Sequence, residues 1–332
     1  MKLASLKGPT RDGTLVVVDR DLKRAVKATG AAPTLQQALE NWDVVEPRLR
    51  DIAASLESGN ERHAFDFHAA LMGNQVAAPL PRAFEWLDGS AYLSHVERVR
   101  RARNDKVPES FYKDPLMYQG GAGAMMGPRD PIRVLSNEWG IDLEGEVVAI
   151  VGDVAMGAAP HEAGAAVRLL TLVNDVSFRR LIPAELAKGF GFVNDKSANA
   201  LAPVAVTPDE LGALWKDGRL HLPLVCEVNG KKLGSADAGV DAQFGLHELI
   251  AHAAKTRELA AGTIIGTGTI SNQDLSVGFA CLMEARLVEQ VESGAAKTPF
   301  LDFGDTVKIE MRDAEGVSVF GAIEQKVERY KP

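Results

Sequence analysis

The sequence predicts an α+β protein with a small N-terminal domain and a larger, mostly β domain after it. Three observations carry that prediction. The length of 332 residues suits one large or two modest domains. The chain has 46% hydrophobic and 25% charged residues, an ordinary globular balance that argues against disordered, collagen-like and coiled-coil classes. Short β-branched runs and glycine-rich turns dominate after residue 75, whereas helical spacing dominates the middle of the stretch before it.

Taken in order, residues 1–18 predict a hairpin, with Arg11-Asp12-Gly13 turning into Thr14-Leu15-Val16-Val17-Val18. Thr34 is an N-cap before Leu35-Gln36-Gln37-Ala38-Leu39, and Asp43 to Leu56 has helical spacing that stops near Gly59. Pro79-Leu80-Pro81 then breaks the pattern, and the domains divide as 1–75 and 76–332. Strands are expected at Glu146–Val151, Leu220–Val228, Thr263–Thr269, Thr306–Arg312 and Val317–Val327, and helices at Ala163–Asn174 and Leu246–Leu259. Ser235-Ala-Asp-Ala-Gly and Asp313-Ala-Glu-Gly read as turns. Gly120-Gly121-Ala122-Gly123 lacks both the Lys-Ser/Thr of a P-loop and G-x-G-x-x-G spacing, so no phosphate loop is expected.

The formal charge of −8 argues against a general polyanion binder, so no nucleic acid is expected as partner. Arg98, Arg100, Arg101, Arg103 and Lys106 form a local basic run without interleaved aromatics, read as a solvated helix face near a site entrance. Cys226 and Cys281 have no metal-ligand spacing and read as reduced, buried thiols. No run approaches a membrane span, the first eight residues are too short and polar for an export signal, and a cytoplasmic location is expected.

Chemistry points first to Asp142-Leu143-Glu144-Gly145-Glu146, which runs into Val147–Val151. In a continuous strand, alternation puts Asp142, Glu144 and Glu146 on one face. Their repulsion is relieved either by solvation at an edge or by a hard cation, since Mg²⁺ and Ca²⁺ prefer clustered oxygen ligands. Asp175 lies between the apolar 169–173 and Val176-Ser177-Phe178, where it either caps a turn or joins such a cluster. His95 stands seven residues after Asp88; the other histidines sit in turn, strand or helix contexts that favour packing or surface roles.

These residues resemble the fumarylacetoacetate hydrolase superfamily over most of the chain after residue 80. The motifs, in order, are Asp142-Leu-Glu144-Gly-Glu146 to Gly152, Asn174-Asp175-Val176-Ser177-Phe178-Arg179, Gly262-Thr263 through Gly268-Thr269-Ile270-Ser271, and Phe279-Ala280-Cys281-Leu282-Met283-Glu284. The resemblance implies a mixed β-roll catalytic domain and a bacterial fumarylacetoacetase-like activity. That activity is divalent-metal-dependent hydrolysis of a C–C bond in a β-diketo acid, to fumarate and acetoacetate, in aromatic amino acid catabolism. It maps metal ligands onto Asp88, Glu144, Glu146 and Asp175, with Mg²⁺ or Ca²⁺ expected and Mn²⁺ as a third candidate. Catalytic roles fall on His95 as general base, Glu284 orienting it, and Lys196 and Arg179 where negative charge develops. Tyr118 and Thr269 map onto substrate-binding positions. Lys188, in a Lys-Gly-Phe context, rivals Lys196, and Glu97 ranks behind Glu284 as partner of His95. The resemblance also implies a homodimer and a small oxo-acid substrate. Acylpyruvate hydrolysis, oxo-acid decarboxylation and tautomerisation are the alternatives within the family. A non-catalytic metal- or acid-binding relative is the alternative outside enzymes, and His95 with Glu284 counts against it.

Overall fold

The computed structural model describes residues 1–101 and 107–331, with the side chains of residues 99–101 left aside. Arg103 and Lys106 of the basic run therefore lie outside the described residues, as do the side chains of Arg100 and Arg101. Among the described residues the main feature is one eleven-stranded sheet. From one edge it runs Phe65–Asp66, Arg24–Lys27, Thr14–Val18, Lys2–Leu6, Ala205–Val206, Val167–Asn174, Gly145–Val151, Ile264–Gly266, Trp86–Gly89 and Met117–Gly120, with Ala200–Leu201 on Val167–Asn174. The expected hairpin is present, Lys2–Leu6 pairing with Thr14–Val18. Lys2–Leu6 also pairs with Ala205–Val206, so the N-terminal part and the larger domain share this sheet.

Both faces of the sheet are covered. Trp86, Val148, Ile150, Val173 and Ile264 pack in one apolar cluster with Leu35, Leu39, Leu49 and Leu56 of the N-terminal helices. Those helices are Leu35–Glu40, capped by the Thr34 hydroxyl accepting from Gln37 N at 3.2 Å, and Trp42–Glu57. Leu87, Val147, Ala149, Leu172 and Ile265 face the other way, toward the helix Leu246–Ala253 and a five-stranded sheet. That second sheet runs Lys231–Asp237, Pro223–Val228, Thr306–Met311, Ile323–Arg329 and Ile132–Val134. Alternate residues entering two different cores is what period-2 side-chain geometry requires of a central strand.

The double burial explains the largest departure from expectation. The predicted helix Ala163–Asn174 is instead a one-turn helix, Pro160–Ala165, followed by the strand Val167–Asn174. A strand buried on both faces reads as an apolar run without alternation, which periodicity does not distinguish from helix. The predicted strand Val317–Val327 forms only at Ile323–Arg329, because Gly321 turns the chain with φ +75°. Leu220–Val228 splits before Pro223, Thr263–Thr269 is strand only at Ile264–Gly266, and Leu246–Leu259 is helical only to Ala253. Ser235–Asp237 belongs to a strand rather than to a turn, which starts after it. Both cysteines are free and buried, and no helix among the described residues is long and apolar enough to cross a membrane.

Candidate active site

Strand register assembles the carboxylates. Asp88 is the last residue but one of the strand Trp86–Gly89 and shares a sheet face with Trp86; Glu146 is the second residue of Gly145–Val151 and shares that face with Val148 and Ile150. Asp175 follows Val173, the direct cross-strand partner of Glu146, by two residues. Tyr118 is the cross-strand partner of Asp88. All four therefore meet at one end of the central sheet. Gly266, beside Asp88 in the parallel pair, leaves the room: a Cβ there would stand 2.3 Å from Asp88 Oδ1. Gly268, at φ +74°, then turns its N–H to donate to the same oxygen at 3.0 Å.

Ligand oxygens of Asp88, Glu146 and Asp175 lie within 4.8 Å of one another, and all three residues are buried. Both carboxylate oxygens of Glu146 and Oδ1 of Asp175 have no hydrogen-bond partner. Buried polar atoms are normally satisfied, so three orphaned oxygens pointing together mark a place for a cation. The electrostatics agree. Burial, and next the charge of Asp175, push Asp88 up to about 8. Burial and the Asp88 and Asp175 charges raise Glu146 well above the glutamate range, and burial raises Asp175 despite Lys196. The donor set is hard and all-oxygen, which fits a divalent cation of the Mg²⁺, Mn²⁺ or Ca²⁺ type.

Glu144, expected as a fourth ligand, is instead paired to cationic side chains. The chain from Ile141 is not one continuous strand. Ile141–Asp142 pairs with Ser177–Phe178, and a separate strand starts at Gly145, so the three acidic residues do not share one face. Asp142 accepts from the N–H groups of Leu282 and Met283 at 2.7 and 2.9 Å, capping the helix Leu282–Ser293, and from Arg179 Nε at 2.8 Å. Arg179 Nη2 donates to Glu144 Oε1 at 2.6 Å, and Lys196 Nζ and the Ser177 hydroxyl donate to Oε2 at 2.6 and 2.9 Å. Burial would raise Glu144, but Arg179 and Lys196 outweigh it and hold the carboxyl well below its ordinary range. Arg179, expected where negative charge develops, thus has both ends engaged and braces Asp142 and Glu144.

Lys196 joins the two groups of carboxylates. Its ammonium donates to Glu144, to Asp175 Oδ2 at 2.5 Å and to Ser177 Oγ at 2.8 Å, and it lies 5.1 Å from the Tyr118 ring centre. The Tyr118 hydroxyl donates to Asp175 Oδ2 at 2.6 Å, and its ring meets Phe192 at 4.9 Å between centres. Lys188 is exposed on the neighbouring loop. Thr269 is buried just after Gly268, on the segment that leads to Ser271.

His95 and Glu284 come together from positions 189 apart in sequence, Nδ1 lying 3.6 Å from Oε1. That distance is an electrostatic contact beyond hydrogen-bond range. Glu284 Oε1 accepts from Ser271 Oγ at 2.6 Å and from Arg98 Nη1 at 2.7 Å. Burial pulls Glu284 upward, but His95, Arg98 and Ser271 hold it below the ordinary range. Glu97 accepts from the Tyr112 hydroxyl instead. Arg98 corrects the reading of a purely solvated face: its guanidinium also bonds Ser271 Oγ at 2.8 Å and the Asn272 carbonyl. The available signal was spacing, since three residues along a helix put Arg98 on the side of His95. Size does not locate this site, because a groove of about 940 Å³ lined by Lys23, His68, Arg129 and Lys308 contains none of these residues.

Comparison with known proteins gives the family and the fold. Residues 85–328 match the family model described as fumarylacetoacetate (FAA) hydrolase C-terminal, and residues 1–82 the one described as fumarylacetoacetase N-terminal domain 2. A 2,4-didehydro-3-deoxy-L-rhamnonate hydrolase of a Sphingomonas strain is 28% identical over 47% of this chain and 53% of its own. The oxaloacetate tautomerase YisK of Bacillus subtilis is 25% identical over 76% of this chain and 81% of its own. The chain thus spans about half the length of the first of these relatives. Among solved structures, a fumarylacetoacetate hydrolase from Exiguobacterium antarcticum has a TM-score of 0.65 at 17% identity, covering 99% of this chain and 100% of that one. Maleylpyruvate hydrolase from Sphingobium sp. SYK-6, in complex with manganese(II) and pyruvate, has a TM-score of 0.65 at 16% identity and full coverage of both chains. At these identities the structural likeness shows the fold.

Proposed function

Because the chain belongs to the fumarylacetoacetate hydrolase family, whose relatives here carry the names of hydrolases and tautomerases, we propose that it is a divalent-metal-dependent hydrolase. Its substrate is a β-diketo acid of the fumarylacetoacetate or acylpyruvate type, cleaved at a C–C bond. The single observation that carries this reading is the buried cluster of Asp88, Glu146 and Asp175, in which three oxygens of Glu146 and Asp175 are orphaned, with His95 and Glu284 as a separate base pair. The manganese(II) and pyruvate complex of maleylpyruvate hydrolase supports the same choice of cation and substrate class.

A cation on Asp88, Glu146 and Asp175 would supply Lewis-acid polarisation of an oxo group and a template for a dicarbonyl acid. The chain does the rest. His95 removes a proton from water, the general-base task that histidine most often performs. Glu284, kept ionised by its partners, stabilises the imidazolium so formed. Lys196 places positive charge beside Glu144 and Asp175, and Tyr118 and Thr269 border the place where the acid binds.

Oxaloacetate tautomerisation is the second reading, favoured by the 76% of the chain that aligns with the tautomerase. It needs proton transfer at carbon but no activated water. The test is to incubate the Mg²⁺- or Mn²⁺-loaded protein with fumarylacetoacetate, fumarylpyruvate, acetylpyruvate and oxaloacetate and to identify products. Fumarate with acetoacetate, or an acid with pyruvate, supports hydrolysis. Enol–keto exchange of oxaloacetate without cleavage of any substrate replaces it with the second reading.

A further inference from the structure

Cys281 enters no step of the chemistry above, yet it lies against the residues that do. It immediately precedes the helix Leu282–Ser293, and its Sγ accepts from the Glu284 N–H at 3.4 Å. Thiol and carboxylate therefore share one helix start. The helix Leu93–Arg101 delivers His95 from the other side, so that one ligand atom each of His95, Cys281 and Glu284 falls within 4.8 Å of the others. Two donors here lack partners: His95 Nδ1 and, on a fully buried side chain, Glu284 Oε2.

The donor chemistry differs from that of the carboxylate cluster. Nitrogen, sulfur and one oxygen suit a borderline ion such as Zn²⁺, whereas three hard oxygens suit Mg²⁺ or Mn²⁺. Tetrahedral Zn²⁺ holds its nitrogen and sulfur ligands about 3.5 Å apart, so the three groups close on an ion by roughly 1 Å of movement. His95 supplies an opening, its side chain being 20% exposed while that of Glu284 is 0% exposed.

We propose that His95, Cys281 and Glu284 form a second cation site, selective for Zn²⁺ over Mg²⁺, whose occupation removes the imidazole from catalysis. Binding exchanges the thiol proton for a metal–sulfur bond, and the proton leaves to solvent. The inhibitory consequence rests on the base role proposed for His95; the binding itself does not.

The experiment titrates the full-length protein with Co²⁺ and records the near-ultraviolet thiolate-to-cobalt band, which an all-oxygen site does not produce. The band is expected in the wild type, in Cys226→Ala and in Glu146→Gln, to be lost in Cys281→Ser, and to be displaced by equimolar Zn²⁺. Serine caps a helix at least as well as cysteine, so Cys281→Ser keeps the helix start, which circular dichroism checks. On the Mn²⁺-loaded enzyme, Cys281→Ser weakens inhibition by Zn²⁺ at least about 10-fold, the lower end of what disturbing a metal site costs. No band in the wild type, or its survival in Cys281→Ser, overturns the proposal. A band that behaves as expected in a protein that turns over no oxo acid keeps the second site and removes the proposed function.

Discussion

Two groups of buried carboxylates lie close together in the fold and differ in how their oxygens are partnered. Asp142 and Glu144 are partnered on every oxygen: Arg179, Lys196, Ser177 and the start of the helix Leu282–Ser293 donate to them. Asp88, Glu146 and Asp175 are starved, with three oxygens unpartnered and all three groups shifted toward the protonated form. Paired carboxylates hold elements in place, because the pairs would be costly to break. Unpaired ones keep a capacity to bind that folding itself leaves unused. Lys196 touches both groups and so couples brace to site.

The sharpest way to break this comparison is Glu146→Gln. Cation affinity measured by calorimetry should fall at least about 100-fold, since losing even an outer partner of a metal site costs about 10–100-fold. The metal-free variant should be no less stable than the wild type, because Gln matches the neutral form toward which burial and its neighbours push Glu146. Unchanged Mn²⁺ affinity would remove the starved group from the metal site. Arg179→Met probes the other group. It leaves Asp142 and Glu144 short of a buried partner and should cost about 3–5 kcal/mol of unfolding free energy in urea titration. A cost below about 1 kcal/mol, the value of an exposed pair, would mean that the brace is not one.

pH tests Asp88 directly. Burial, and next the charge of Asp175, push Asp88 from its ordinary 3.8 up to about 8, so the native state holds the extra proton between them. Stability of the metal-free protein should therefore fall as pH rises through that window, and the rise in Tm on adding Mn²⁺ should grow over the same range. A metal-induced Tm shift that is flat from pH 5 to 8 would contradict the assignment. The smallest effect is expected at Arg98→Met. Cation binding should be unchanged while kcat drops about 10-fold, part of the roughly 10²–10⁴ that a general base contributes. An unaltered kcat would confine Arg98 to anchoring its helix.

Legibility in sequence followed chemistry more than conformation. Glu146 and Asp175 stand out as acids embedded in apolar runs, and their burial follows from those runs. Asp88 is placed by its spacing to His95 rather than by its surroundings, and only the glycines at 266 and 268 show how it is accommodated. Glu144 and Arg179 carry the right motif, yet their pairing depends on Ser177–Phe178 lying beside Ile141–Asp142, which no local pattern dictates. Arg98 was hidden by its neighbours, since a run of arginines has the composition of a solvated face whichever member turns inward. Val167–Asn174 was hidden by being buried on both sides.

By itself the sequence determined the class of the molecule, the hairpin at its start, the capped helix after Thr34 and an inventory of acids, one histidine and one lysine suited to metal-assisted chemistry. These depend on residue type and short-range spacing, which the chain carries locally. Only the tertiary structure decided which acids are free. Whether a buried carboxylate is neutralised depends on what stands within about 4 Å of it, and here the deciding neighbours, Arg179 and Lys196 for Glu144, Lys196 for Asp175 and Arg98 for Glu284, arrive from elements tens to almost two hundred residues away.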